Sequence, residues 1–338
     1  MNATRRHILA AAGALSLAGL PLGAFAAPTL TVRSRNAERR TVDVVVPENP
    51  QRVAALDAAV LENLEYFGLE SRIVAAVNPG AMTWLKPLPK TVVLLGSLKN
   101  VDVKAVAAAK PDLIYISGRA VRAYKQYSEV APTVCPVTGG PKGPLPAFRA
   151  NLLELGRVFG RTAEAKKAVA QTEARVERIA AKAAGEKIAV LMMVGGRINV
   201  AADGGPCTFL SRGLGFTNVK PAPKEAPRPP MPPQGAGQGN PPPKPTPAEI
   251  AAKNEKAFAE LAALKPSRIF VLNKDTAVGL TEPHLLADAV KGSAAWAALD
   301  AVKAGRVHEL TGAAWYLGEG GVASMERQLT DVERALGL

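Results

Sequence analysis

The period of the apolar positions changes repeatedly along this chain. Residues 29–33 and 40–46 alternate apolar and polar side chains as the two arms of a hairpin do. Residues 52–56 then read as a strand, 57–67 as an amphipathic helix, and 73–77 and 92–95 as two further strands. Strands that alternate with helices imply parallel sheets covered on both faces. Residues 162–184 contain no Gly or Pro, place Thr162 at the N-cap and Glu164 in the first turn, and stop at Gly185. Such a helix is about 33 Å long, enough to join two lobes as a rigid strut. Its apolar positions Ala165, Ala168, Val169, Thr172, Val176, Ile179 and Ala183 fall on one face.

An internal similarity divides the rest. Lys110-Pro111-Asp112-Leu113-Ile114-Tyr115-Ile116-Ser117-Gly118-Arg119 matches Lys265-Pro266-Ser267-Arg268-Ile269-Phe270-Val271-Leu272-Asn273-Lys274 at an offset of 155 residues. In each copy a helical pattern is ended by Lys-Pro before a β-branched, aromatic strand. The expected architecture is therefore α/β: two Rossmann-like lobes, residues 27–161 and 185–338, joined by the helix 162–184, with a ligand cleft between them. The second lobe opens on a buried strand at 187–194. Residues 221–247 hold twelve of the chain's 28 prolines and cannot pack a core, so a mobile, partly polyproline loop is expected there. A helix from Pro247 to Leu264 follows.

The N-terminus bears on compartment. Arg5-Arg6, a short apolar run and Ala24-Phe25-Ala26 form an export signal over residues 1–26, and the paired arginines favour the twin-arginine route. No Cys follows the cleavage site and no later apolar run approaches a membrane span, so a soluble, extracytoplasmic protein is expected. Cys135 and Cys207 lie in different halves and are read as two separate thiols.

Of the 338 residues, 42 are Lys or Arg and 29 are Asp or Glu, a net charge of +13 that suits an anionic partner. In open α/β sheets ligands sit beyond the carboxyl ends of the strands. The repeat puts Arg119 past one such end and Lys274 past the matching end in the other lobe, so facing lobes would bring two cations to one cleft. Lys99 and Arg122 lie on loops that could join them, and Arg197 is a weaker member. Enzyme signatures are missing: no P-loop, G-x-G-x-x-G, G-x-S-x-G or H-E-x-x-H occurs. His308 reads as part of a late strand. His284 has no acidic or Cys partner nearby in sequence, although its loop position keeps a metal or ligand role open. The basic residues are dispersed without interleaved aromatics, which argues against nucleic acid.

Several short motifs occur in order: Gly96-Ser97-Leu98-Lys99, Ser117-Gly118-Arg119, Ala131-Pro132-Thr133-Val134, Gly213-Leu214-Gly215-Phe216, Asp275-Thr276-Ala277-Val278-Gly279, and Trp315-Tyr316-Leu317 with Gly320-Gly321. Together they resemble the periplasmic ferric-siderophore binding proteins of ABC importers, closest to the catecholate branch. The resemblance implies two lobes on one helix, limited closure, no covalent chemistry, no intrinsic cofactor, and a monomer that delivers a ferric siderophore to an inner-membrane permease. It implies ligand contacts at Arg119, Lys274, Trp315 and Tyr316, with Tyr316 able to complete iron coordination as phenolate. Two departures stand out. Where relatives usually place an Arg, this chain reads Gly204-Gly205-Pro206-Cys207-Thr208-Phe209, and the loop that often supplies an iron-binding His has none. Both favour a hexadentate ferric complex. Acids that would dock the permease are Glu62 or Glu65 in the first lobe and Glu282 or Asp288 in the second. The rival readings are a haem or corrinoid receptor and a secreted α/β enzyme acting on an anionic substrate.

Overall fold

Alternating Thr and Val at the start of the chain build Thr29–Arg35 (β1) and Thr41–Pro47 (β2), an antiparallel hairpin that turns through Arg39 at φ +61°. It is tied to the first lobe by the Arg35 N–H on the Cys135 carbonyl (2.9 Å) and the Cys135 N–H on Ser34 Oγ (2.9 Å). The computed structural model describes residues 28–96, 102–139, 143–223 and 245–338. The export signal, Lys99 and most of the proline-rich segment lie outside the described residues.

Short apolar runs buried on both faces form the inner strands of the two central sheets, as parallel strands require. In the first lobe, Val53–Leu56 (β3), Ile73–Val77 (β4), Val93–Leu95 (β5), Leu113–Ile116 (β6) and Thr133–Val134 (β7) are all parallel in the order β5-β4-β3-β6-β7. In the second, Lys187–Val194 (β8), Thr217–Asn218 (β10), Arg268–Asn273 (β11) and Val307–Glu309 (β12) run parallel in the order β10-β8-β11-β12. Arg197–Ala201 (β9), not foreseen as a strand, folds back antiparallel on β8. Gly195 and Gly196, at φ +55° and +74°, supply the two left-handed residues of that tight turn.

The repeat is structural as well as textual. Lys110 and Lys265 both adopt a left-handed conformation, at φ +46° and +49°, and so end the preceding helix at the same point. The Asp112 N–H donates to the Arg52 carbonyl and the Ser267 N–H to the Lys187 carbonyl, both at 2.8 Å. Each copy is thus anchored at the start of the strand beside which it pairs, β3 in one lobe and β8 in the other.

The strut runs over Thr162–Ala183 and buries the seven residues its periodicity named. One detail differs: Arg161, not Thr162, is the N-cap, and no side chain caps it. On one side the strut crosses the helix Pro144–Val158 so closely that a Cβ on Gly156 would lie 2.6 Å from Ala165 Cβ. On the other it pairs with the C-terminal helix Val322–Leu336, where Glu333 receives Arg175 at 2.6 Å and Arg178 at 2.6 Å. Those arginines, led by the hydrogen bond from Arg175, hold the Glu333 carboxyl below its ordinary range.

The same C-terminal helix is also fastened to the first lobe. Its leading N–H groups have no partners within the helix, and the helix Ala58–Tyr66 supplies them. The Val322 N–H donates to Asn63 Oδ1 (2.9 Å) and the Ser324 N–H to Glu62 Oε2 (2.9 Å). Ser324 Oγ (2.5 Å) and Trp84 Nε1 (2.8 Å) both donate to Glu62 Oε1. Burial pushes the Glu62 carboxyl up to about 7, against the pull of Ser324, Trp84 and the Arg327 charge. At 2% exposure Glu62 cannot dock a partner protein, which corrects that expectation. Glu65 is half-buried and accepts the Lys86 N–H at 3.0 Å, whereas Glu282 and Asp288 are exposed.

Candidate functional site

Strand β6 ends at Ile116, and the turn that follows, closed by the Ala120 N–H on the Ser117 carbonyl (2.9 Å), presents Arg119 at the carboxyl end of the first sheet. Strand β11 ends at Asn273, whose side chain accepts the Asp275 N–H (3.0 Å) and starts a short helix with Lys274 as its first residue. After β12, the helix Gly312–Tyr316 brings Tyr316 between them. Arg119 Nη2 donates to the Tyr316 carbonyl at 2.8 Å, and its guanidinium carbon lies 5.1 Å from the Tyr316 ring centre. Lys274 Nζ lies 5.9 Å from the same ring centre. One cation from each lobe therefore lies against the same aromatic ring, within the range of cation–π attraction.

Beside this cluster is a recess of about 190 Å³, walled by Arg119, Pro206, Cys207, Trp315, Tyr316 and Glu319. The segment that lacks the expected arginine is thus part of the site. Arg212, tied to Asp203 at 3.9 Å, rests over Gly204, where a Cβ would come within 2.9 Å of its Nη2. Trp315 contributes a wall. Its N–H is committed to Asp331 (3.0 Å) and its ring packs on Phe209, 6.3 Å between centres. Arg122 is exposed on the turn Val121–Ala123 and makes no hydrogen bond or ion pair among the described residues.

His284 has an acidic partner after all, nine residues back. Its Nδ1 pairs with Asp275 Oδ2 at 2.8 Å, its own N–H reaches the same oxygen at 3.3 Å, and the Gly195 N–H holds Oδ1 at 3.0 Å. Burial works to raise the Asp275 carboxyl, but these bonds from Gly195 and His284 outweigh it and hold the group low. The spacing hid the pair because the loop between the two residues folds back over the β8–β9 turn. No hydroxyl or thiol is hydrogen-bonded to the His284 ring among the described residues. Nor does any cluster of three metal-ligating side chains occur among them. His308 lies in β12 against Arg268 Nη1 at 2.8 Å, and burial followed by that charge lowers its basicity. Cys135 and Cys207 are both free and buried, as expected of separate thiols.

Sequence reasoning missed the acids near Arg119. Asp57, the N-cap of its helix, is raised by burial against its N–H bonds and the Arg119 charge. Glu319 is likewise raised by the protein crowded around it, with Arg119 opposing. Asp57 was legible only as a helix start, and Glu319 sits among glycines with no periodicity to mark it.

Two α/β lobes that meet at a recess walled by both define a two-lobed ligand receptor. The model of the periplasmic binding protein family matches residues 53–314, and the chain belongs to that family. Members are periplasmic or extracellular substrate-binding proteins. The petrobactin-binding protein YclQ of Bacillus subtilis is 25% identical over 300 residues, 86% of this chain and 84% of that one. The ferric-anguibactin-binding protein FatB of Vibrio anguillarum is 26% identical over 162 residues, 46% of this chain and 50% of its own. Among solved structures, that of YclQ superposes with a TM-score of 0.74 at 21% identity, covering 92% of this chain and 99% of that one. The catecholate-siderophore binding protein VctP of Vibrio cholerae does so with 0.71 at 21%, covering 90% and 100%. No helix among the described residues is long and apolar enough to cross a membrane.

Proposed function

We propose that this protein is a periplasmic receptor that captures an anionic ferric siderophore of the catecholate type between its lobes and hands it to an ABC permease. The observation that carries this reading is the convergence of Arg119 and Lys274, one from each lobe, on the Tyr316 ring. A ferric tris-catecholate spreads negative charge over oxygens and flat rings. A guanidinium can both pair with and stack on such a surface, and an aromatic floor offers it a face. The names of the relatives point the same way, to ferric siderophores. The Tyr316 hydroxyl makes no hydrogen bond among the described residues and is free to meet an iron with an open position. Export through the twin-arginine route, division into lobes at the strut, a monomeric state and the absence of covalent chemistry belong to the same proposal.

Tryptophan fluorescence tests it, since Trp315 walls the recess. Titration with ferric tris-catecholate complexes should give saturable quenching, weaker with the iron-free compounds. Saturation by haem or cobalamin in their place would move the protein to another ligand class. Turnover of the bound complex would make it an enzyme.

A further inference from the structure

A second recess shares Glu319 with the first. Its cavity is small, about 20 Å³, room for a group the size of one water. Its polar wall is made by Asp57, Asn63, Tyr115, Asn151, Glu154 and Glu319. Three of these are carboxyls, and none forms an ion pair within 4.0 Å among the described residues. Tyr115 adds a different kind of group: it is only 4% exposed, yet its hydroxyl makes no hydrogen bond among the described residues. Its neighbours on β6, Ile114 and Ile116, belong to the apolar layer on the other side of the sheet, so the phenol is directed to the side covered by the helices Ala58–Tyr66 and Pro144–Val158, where this recess lies.

The remaining polar groups are partly spent. Asn63 is engaged through both its amide atoms with the start of the C-terminal helix, and Asn151 Nδ2 donates to the Val137 carbonyl at 3.1 Å. Glu154 Oε2 accepts the Arg33 N–H at 2.9 Å, and Asp57 Oδ1 accepts the Val60 N–H at 3.0 Å. Among the described residues no hydrogen bond reaches Glu154 Oε1 or either oxygen of Glu319, while Asp57 is held by the Ala59 N–H as well as that of Val60. In all three, burial holds the acid above its usual range, against the opposing charge of Arg119 at Asp57 and Glu319 and of Arg157 and Arg33 at Glu154.

We propose that this recess is a subsite for a primary ammonium group on the ligand. The receptor then takes a ferric complex that joins an anionic iron core, held at Arg119, Lys274 and Tyr316, to a protonated amine arm. The inference rests on the ferric-complex reading above. An ammonium carries three N–H donors and no acceptor, a match for spare carboxylate oxygens and a phenol oxygen. An anion would be repelled by three acids, and an apolar group would leave the phenol and carboxyls unpaired. Continuity through Glu319 puts the subsite at the edge of the site that holds the core.

The test uses two synthetic hexadentate ferric tris-catecholates that differ in one arm: one ends in a primary amine, the other in a hydroxyl of the same length. Fluorescence quenching measures both on the wild type and on the double variant Asp57→Asn/Glu154→Gln, in which Asn keeps the helix cap and Gln keeps an acceptor for Arg33. The wild type should bind the amine complex roughly tenfold more tightly. The double variant should bind the two alike. Equal binding by the wild type overturns the subsite and leaves an ordered water as its occupant. A preference that survives in the double variant also overturns it. Should that variant melt early, Tyr115→Phe provides the second reading, with the preference reduced severalfold; an unreduced preference there again sinks the proposal. Binding of neither complex by the wild type would instead refute the ferric-complex reading itself.

Discussion

Strands β6 and β11 hold matching places in the two lobes, yet the residue at the middle of each has taken a different course. Tyr115 and Phe270 are equivalent in the repeat, and both are buried, at 4% and 0% exposure. Around Phe270 the second lobe packs rings: Phe216 meets it edge-on at 5.6 Å and His308 lies 5.8 Å away. Around Tyr115 the first lobe assembles Asp57, Glu154 and Glu319 and leaves a small cavity. One hydroxyl thus marks the point where the same scaffold is a core in one lobe and a polar recess in the other. The lesson is that the two halves share a frame and a cation position but not a chemistry.

The largest expected effect breaks the comparison at the junction of the lobes. Glu62→Ala removes the acceptor for three donors, the Ser324 N–H, Ser324 Oγ and Trp84 Nε1, and should cost roughly 3 kcal/mol in urea unfolding. The pH dependence has a definite sign. A carboxyl raised from 4.5 to about 7 in the folded state binds its proton more readily folded than unfolded. Its contribution is therefore most favourable below 4.5 and is lost as pH rises through about 7. Unfolding curves between those limits should show that decline in the wild type, and Glu62→Gln should flatten it.

Next comes the cation pair. Arg119 donates a hydrogen bond to the Tyr316 carbonyl and stacks at 5.1 Å, while Lys274 is a point charge at 5.9 Å. Arg119→Ala should weaken ferric catecholate binding by roughly thirtyfold or more, and Lys274→Ala by only about three- to tenfold. Equal losses, measured by quenching titrations, would show that the lobes contribute alike and would erase the asymmetry.

Much of this frame was legible because it rests on short-range rules. The strut's buried face followed from helical spacing, the parallel strands from continuous apolar runs, and the two cations from their places in the repeat. What stayed hidden depends on the path of loops. Asp275 meets His284 only because residues 276–283 fold back over the β8–β9 turn. Glu62 looked like a surface acid because the helix that buries it begins 260 residues later, at Val322. The recess at Tyr115 combines the first turn of one helix, the middle of another and a glycine-rich loop, a juxtaposition that no local pattern announces.

The last pair of variants exchanges the two residues that distinguish the lobes, and it contains the smallest expected effect. Phe270→Tyr would bury a hydroxyl among Phe216 and His308, on a strand whose six residues are all buried, and should destabilise the fold by about 1–3 kcal/mol. Tyr115→Phe removes a hydroxyl that makes no hydrogen bond within the described residues, so its effect on stability should stay within about 0.5 kcal/mol. Thermal melts of the two variants, side by side, separate a polar group that the fold does not need from a place where the fold does not admit one. If Tyr115→Phe were as costly as the reverse exchange, the phenol would be part of the folding core of its lobe. The difference between the lobes would then be one of packing alone.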